Sequence, residues 1–173
     1  FQNGKDGTGS TDNTITGTVF TGNTSNSKGG AVATLQESQW EGDETYGTTT
    51  VTGSTFESNS AKSGGALYGE RTGYTVNDSR FDGNKASENG GAVYVEYTDM
   101  AVNNSTFSTN DAGVSGGAIY AKDAKNLTIS KSTFTDNEAE DNGGAIMAMS
   151  DSDGGTRKQI FTVSESSFDK NIA

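Results

Sequence analysis

Two short strings alternate along this chain in a fixed order, and they constrain its fold more than any other feature. Phe-x-x-Asn occurs six times, at Phe20/Asn23, Phe56/Asn59, Phe81/Asn84, Phe107/Asn110, Phe134/Asn137 and Phe168/Asn171. Gly-Gly-Ala occurs five times, ending at Ala31, Ala66, Ala92, Ala118 and Ala145. Each of the first five Phe is followed by such an Ala after 10 or 11 residues. Five positions before each Phe stands a β-branched aliphatic: Ile15, Val51, Val76, Val102, Ile129 and Val163. Two positions before it stands a hydroxyl: Thr18, Ser54, Ser79, Ser105, Ser132 and Ser166. A period of this length identifies a repeat architecture in which each unit buries its apolar face only by stacking on its neighbours.

The Phe-to-Phe periods are 36, 25, 26, 27 and 34 residues. The basic unit is therefore close to 26 residues, with extra length in two units. Both insertions fall between Gly-Gly-Ala and the next aliphatic, at 34–50 and 149–159. Glycine and β-branched residues in every unit, with no apolar spacing of 3.6, exclude a helical solenoid. Segments such as Thr-Val-Thr, Ala-Ile-Tyr-Ala and Leu-Thr-Ile-Ser read as short strands. The expected fold is all-β: one domain over 1–173, a right-handed parallel β-helix of about six rungs with three short strands per rung.

Composition by itself argues the other way. Val, Ile, Leu and Phe make up 26 of 173 residues, and the net charge is −11. Such values are typical of disordered chains. A β-helix reconciles them, because its interior is a narrow tube that a few stacked side chains per rung can fill. The six Phe residues should form one inward stack and the six aliphatics another. The five steps between them are odd in number, so a bend must bring both columns to the same side. The Asn of each Phe-x-x-Asn should sit at a turn and bond the Asn above and below it. Gly-Gly should supply positive φ and close backbone approach. After Gly-Gly-Ala, the aliphatics Val32, Leu67, Val93, Ile119 and Ile146 should point inward. Tyr68, Tyr94 and Tyr120 should then stack on the outside.

The alternation of Phe-x-x-Asn with Gly-Gly-Ala-[Ile/Leu/Val] resembles the polymorphic outer-membrane-protein repeats of surface autotransporters. The clearest unit is Phe107-Ser-Thr-Asn110 leading to Gly116-Gly117-Ala118-Ile119-Tyr120. The resemblance implies an extracellular or cell-surface β-helix of the pectate-lyase-like superfamily that serves adhesion or surface structure. No membrane barrel segment accompanies the repeats.

Function classes narrow accordingly. Neither Cys nor His occurs, which removes thiolate and imidazole chemistry. The acidic balance disfavours nucleic acid, and no apolar run approaches the ~20 residues of a membrane span. No cofactor is implied. The expectation is a non-catalytic rod, a segment of an adhesin or a filament subunit. Its uncapped ends point to head-to-tail self-association or to continuation into a longer chain. A carbohydrate-active lyase or hydrolase is the main alternative. Its candidate acids are Glu138, Glu140 and Asp141, and Asp151 and Asp153 form a weak calcium candidate; Arg71, Arg80 and Arg157 fall in different columns. An ice-binding solenoid is the second alternative. It rests on the residues flanking each Val/Ile: Thr14/Thr16, Thr50/Thr52, Thr75/Asn77, Ala101/Asn103, Thr128/Ser130 and Thr162/Ser164. Trp40 and Tyr46 in the first insertion, with Tyr68, Tyr94 and Tyr120, are candidate contacts for a carbohydrate or host-surface ligand. Asn23, Asn77, Asn103, Asn104 and Asn126 begin Asn-x-Ser/Thr sequons.

Overall fold

Residues 12–36, 47–150 and 159–173 are described in a computed structural model of the chain. They form a right-handed parallel β-helix whose strands fall into four parallel sheets, each with its strands in chain order. The Val/Ile sheet holds six strands, from Asn13–Thr16 to Ile160–Ser164. The Phe sheet holds six, from Val19–Thr21 to Ser167–Asp169. A narrow Ala sheet follows, with four two-residue strands: Ser60–Ala61, Lys85–Ala86, Asp111–Ala112 and Glu138–Ala139. The Tyr sheet closes the rung with five strands, from Val32–Leu35 to Ile146–Met149. The rung thus has four strands where three were expected. Two residues are too few to show alternation, so the Ala strands leave no period-2 signal in the sequence.

Corners explain how one chain turns four times per rung. Among the described residues these corners are made by residues with φ between +47° and +71°, the left-handed region. Between the Val/Ile and Phe strands this residue is Gly17, Gly53, Asp78, Asn104, Lys131 or Glu165. One left-handed residue there is the bend that the odd spacing demanded, and it returns both columns to the interior. Ile15, Val51, Val76, Val102 and Ile129 are buried, as are Phe56, Phe81, Phe107 and Phe134. The six Phe rings stack face to face with centroids 4.6–4.8 Å apart. That is the spacing of the strands themselves.

Gly-Gly divides its two tasks. Gly90, for example, takes φ +68°. A Cβ on Gly91 would collide with the Gly117 carbonyl oxygen and lie 2.7 Å from both the backbone N and O of Asp111. The first glycine therefore turns the chain, and the second lets neighbouring rungs meet. The Ala that follows and the aliphatic after it both join the main core.

Volume is also balanced inside the tube. Tyr74 is almost fully buried on the Val/Ile sheet, and its ring lies where a side chain at position 69 would project. The Tyr strand accordingly carries Gly69 there, in register with Val95 in the next rung. The Tyr74 hydroxyl is satisfied by Thr34 Oγ1 at 2.8 Å and by donation to the Tyr68 carbonyl at 3.1 Å. Burial pushes that hydroxyl's pKa well above its ordinary value.

The insertions are shorter than their sequence bounds. Strand structure continues to Leu35 and resumes at Thr48, and in the second case runs to Met149 and resumes at Ile160. Trp40 and Tyr46, and Asp151 and Asp153, lie outside the described residues.

Candidate functional site: ladders inside, a polar face outside

The asparagine column is a closed hydrogen-bond ladder. The side-chain nitrogen of each Asn donates to Oδ1 of the Asn in the next rung at 2.8–3.0 Å, from Asn23 through to Asn171. The backbone N–H of the same residue donates to the same oxygen. The second amide hydrogen goes to the Phe carbonyl one rung back, as from Asn84 Nδ2 to Phe56 O at 3.0 Å. Asn59, Asn84, Asn110 and Asn137 are fully buried. All their polar capacity is spent on the fold, the condition under which buried amides stabilise rather than destabilise.

The hydroxyl column is a second ladder, whose role was not legible in the sequence. The backbone N–H of Thr18, Ser54, Ser79, Ser105 and Ser132 each donates to the Oγ of the next rung's serine at 3.0–3.2 Å. Each serine hydroxyl donates back to the carbonyl two residues earlier, as Ser79 does to Asn77 at 2.7 Å. The serine at a fixed place before each Phe was the available signal. These hydroxyls cap the corner amides.

Tyr68, Tyr94 and Tyr120 do face away from the tube and stack, with centroids 4.9 and 5.1 Å apart. They are not an open aromatic surface, however, being only 3–8 % exposed. They form a separate apolar cluster with Ala33, Leu35, Met147 and Met149. Their hydroxyls reach Glu70, Glu96 and Met149 Sδ. Lys28 lies over the Tyr68 ring, 4.5 Å from its centroid, and bonds Glu70 at 2.7 Å. Burial raises the Tyr68 pKa to about 12. Burial alone would also raise the Glu70 carboxyl, but Lys28, Tyr68 and Arg71 outweigh it and hold it below the ordinary carboxylate range.

The outer side of the Val/Ile sheet is the polar face. Thr14, Thr50, Thr75, Ala101, Thr128 and Thr162 form one file in register. Thr16, Thr52, Asn77, Asn103, Ser130 and Ser164 form the other. The second file is knitted to itself, by Asn103 Nδ2 to Asn77 Oδ1 at 2.9 Å and Ser130 Oγ to Asn103 Oδ1 at 2.8 Å. Among the sequon residues, the side-chain nitrogen of Asn23 belongs to the buried ladder. Those of Asn103, Asn104 and Asn126 bond Asn77, Asp78 and Asp99. Of the candidate acids, Glu138 stands beside Asp111 in the Ala sheet. Arg71 bonds Glu70 at the corner after the Tyr strand, whereas Arg80 pairs with Asp82 on the Phe sheet, so the structure does not bring these two together. Among the described residues, no group of three or more acidic side chains gathers as a metal centre.

One family model matches the chain, the Chlamydia polymorphic membrane protein repeat, at residues 17–35, 53–70, 78–96, 104–122 and 131–148. No curated protein and no solved structure matches. Each matched segment begins at the left-handed corner before the Phe strand and runs through the Phe and Tyr strands, the last four taking in an Ala strand between them. The matches together cover more than half of the chain, which therefore belongs to the Chlamydia polymorphic membrane protein repeat family.

Proposed function

We propose that this chain is a non-catalytic, cell-surface β-helical rod that presents a polar face to a carbohydrate or host-surface ligand. The observation that carries this reading is the match of five consecutive rungs to a membrane-protein repeat family. The residues of the family pattern are spent on structure: Phe in the stack, Asn and Ser in ladders, Gly-Gly at the corner. What is left for recognition is the exterior, where the threonine file of the Val/Ile sheet presents its side chains outward. A rod with such a face suits adhesion, because repeated rungs extend a binding surface without enlarging the core.

The test is binding of the purified, fluorescently labelled chain to cultured mammalian cells and to immobilised extracellular matrix. Saturable binding to at least one of these surfaces is expected. Incubation with polysaccharides, with and without calcium, is expected to leave their chain lengths unchanged. Absence of binding to every surface would remove the adhesive reading, and depolymerisation would replace it with the enzymatic one.

A further inference from the structure

The outer face of the Val/Ile sheet is not flat. A depression of about 230 Å³ opens in it, across the four middle rungs. Its floor is made by Gly73, where the neighbouring rungs carry Thr48 and Asp99, and by Ala101, where they carry Thr75 and Thr128. Two small residues in adjacent rungs thus interrupt two files of longer side chains at one place.

Hydrogen-bonding groups ring the floor, and some are fixed in advance. Asp99 accepts the Asn126 backbone N–H on one carboxylate oxygen at 2.9 Å and the Asn126 side-chain nitrogen on the other at 2.8 Å. Each oxygen keeps an acceptor lone pair, and the carboxylate is held in a single orientation. On the opposite rim Thr75 and Thr128 offer hydroxyls, each donor and acceptor, on side chains stiffened by β-branching. The site combines acceptors for hydroxyl donors, hydroxyls of both kinds, and a small apolar floor of Gly and Ala. A carboxylate on the rim of a chain with net charge −11 repels anions.

We propose that this depression is a subsite for one sugar residue of a neutral glycan, whose vicinal hydroxyls bond Asp99 and the threonine rim. The inference rests on the surface-rod reading above and gives it a ligand class. Fold-neutral variants exist. Gly73 needs no positive φ, and a Cβ there would meet its nearest neighbours, Asp99 O and Thr48 Oγ1, at 3.6 Å, an ordinary contact. Gly73→Thr and Ala101→Thr therefore fill the floor while continuing a strand-favourable file.

The experiment is a nuclear magnetic resonance titration of the isotope-labelled chain with cellotetraose, maltotetraose and tetra-N-acetylchitotetraose, and with a heparin-derived tetrasaccharide as the anionic control. At least one neutral tetrasaccharide should shift the backbone resonances of Gly73, Thr75 and Ala101, with a Kd on the order of millimolar, as suits one shallow subsite. Gly73→Thr and Ala101→Thr should each weaken that binding at least tenfold, at an unchanged urea midpoint. Gly73→Ala, the smaller change, checks that any loss reflects filling and not misfolding, and should show an intermediate loss. The proposal is overturned if no neutral tetrasaccharide moves these resonances, if only the heparin fragment does, or if Gly73→Thr binds like the parent chain. If Gly73→Thr retains cell binding and the parent binds none of the sugars, the subsite fails and the surface rod stands. If the parent binds sugar but no cell or matrix surface, the rod reading fails and the subsite stands. Ala101→Thr also completes the threonine file, so a gain in thermal hysteresis in that variant would overturn the glycan assignment in favour of ice.

Discussion

The wall formed by the Phe strand and its two corners differs in kind from the wall formed by the Val/Ile strand. On the first, residue identity repeats because each residue bonds its own copy above and below. Asn meets Asn, Ser meets Ser, Phe stacks on Phe. On the second, only the inward aliphatic repeats. The inward neighbours run Thr49, Tyr74, Met100, Leu127 and Phe161, and the outward files mix Thr, Gly, Asp, Asn, Ala and Ser. The matched family segments stop at or just before the end of the Tyr strand and resume after the Val/Ile strand, leaving that second wall outside the pattern. Identity is fixed where a residue's partner is its own copy, and released where its partners are other core side chains, as for buried Thr49, Tyr74, Met100 and Leu127, or solvent.

Substitutions on the two walls should behave in opposite ways. The largest effect is expected for Asn84→Ala. It removes the acceptor of the Asn59 backbone N–H and of one Asn59 side-chain hydrogen, and takes one donor from the Asn110 Oδ1 and from the Phe56 carbonyl, in a fully buried place. With each orphaned group costing ~1–3 kcal/mol, urea unfolding should show a loss of about 4 kcal/mol or more. A loss under 1 kcal/mol would mean that the ladder is not a unit. Ser79→Ala orphans one buried amide, that of Ser54, and should cost ~1–3 kcal/mol by the same measurement.

Acid should act on the outward ion pairs but not on the neutral ladders. The Glu70 and Asp82 carboxyls sit below their ordinary values. For both, burial opposes the shift, and it is outweighed by Lys28, Tyr68 and Arg71 around Glu70, and by Ser108, Thr109 and Arg80 around Asp82. A depressed folded-state pKa contributes stability above the unfolded value and loses it as pH falls through the folded one. The urea midpoint should therefore hold down to about pH 4.5 and decline below it. A midpoint indifferent to acid down to pH 2 would remove these pairs from the stability account. The smallest effect is expected on the second wall, where Thr75→Ala should change stability by no more than ~0.5 kcal/mol. A larger loss would give that file a structural role.

The same contrast decides what could be read from residue order. The Phe stack, the Asn ladder, the inward aliphatics, the corner bend and the two duties of Gly-Gly were all legible, because self-pairing forces a residue to recur at fixed spacing. The Ala sheet was missed because Lys85–Ala86 and its counterparts are too short to alternate. The serine ladder was visible as a column but not as a function, since a backbone N–H leaves no mark in the sequence. The covering of Tyr68, Tyr94 and Tyr120 was illegible for another reason. Which outward ring is shielded depends on the adjoining corners and on side chains such as Lys28, not on the ring's own strand. The pairing of Gly69 with Tyr74, and the depression at Gly73 and Ala101, each depend on residues that break the repeat, and a search for recurrence passes over them.

Amide exchange measured by nuclear magnetic resonance tests the central claim most directly, through the asparagine side chains themselves. The Nδ2 hydrogens of Asn59, Asn84 and Asn110 should exchange as slowly as the core backbone amides of the Phe strands, while those of Asn104, bonded to Asp78 but exposed, should exchange fast. Exchange of the ladder amides at the rate of Asn104 would contradict the account, because the wall that fixes residue identity would then be open to water.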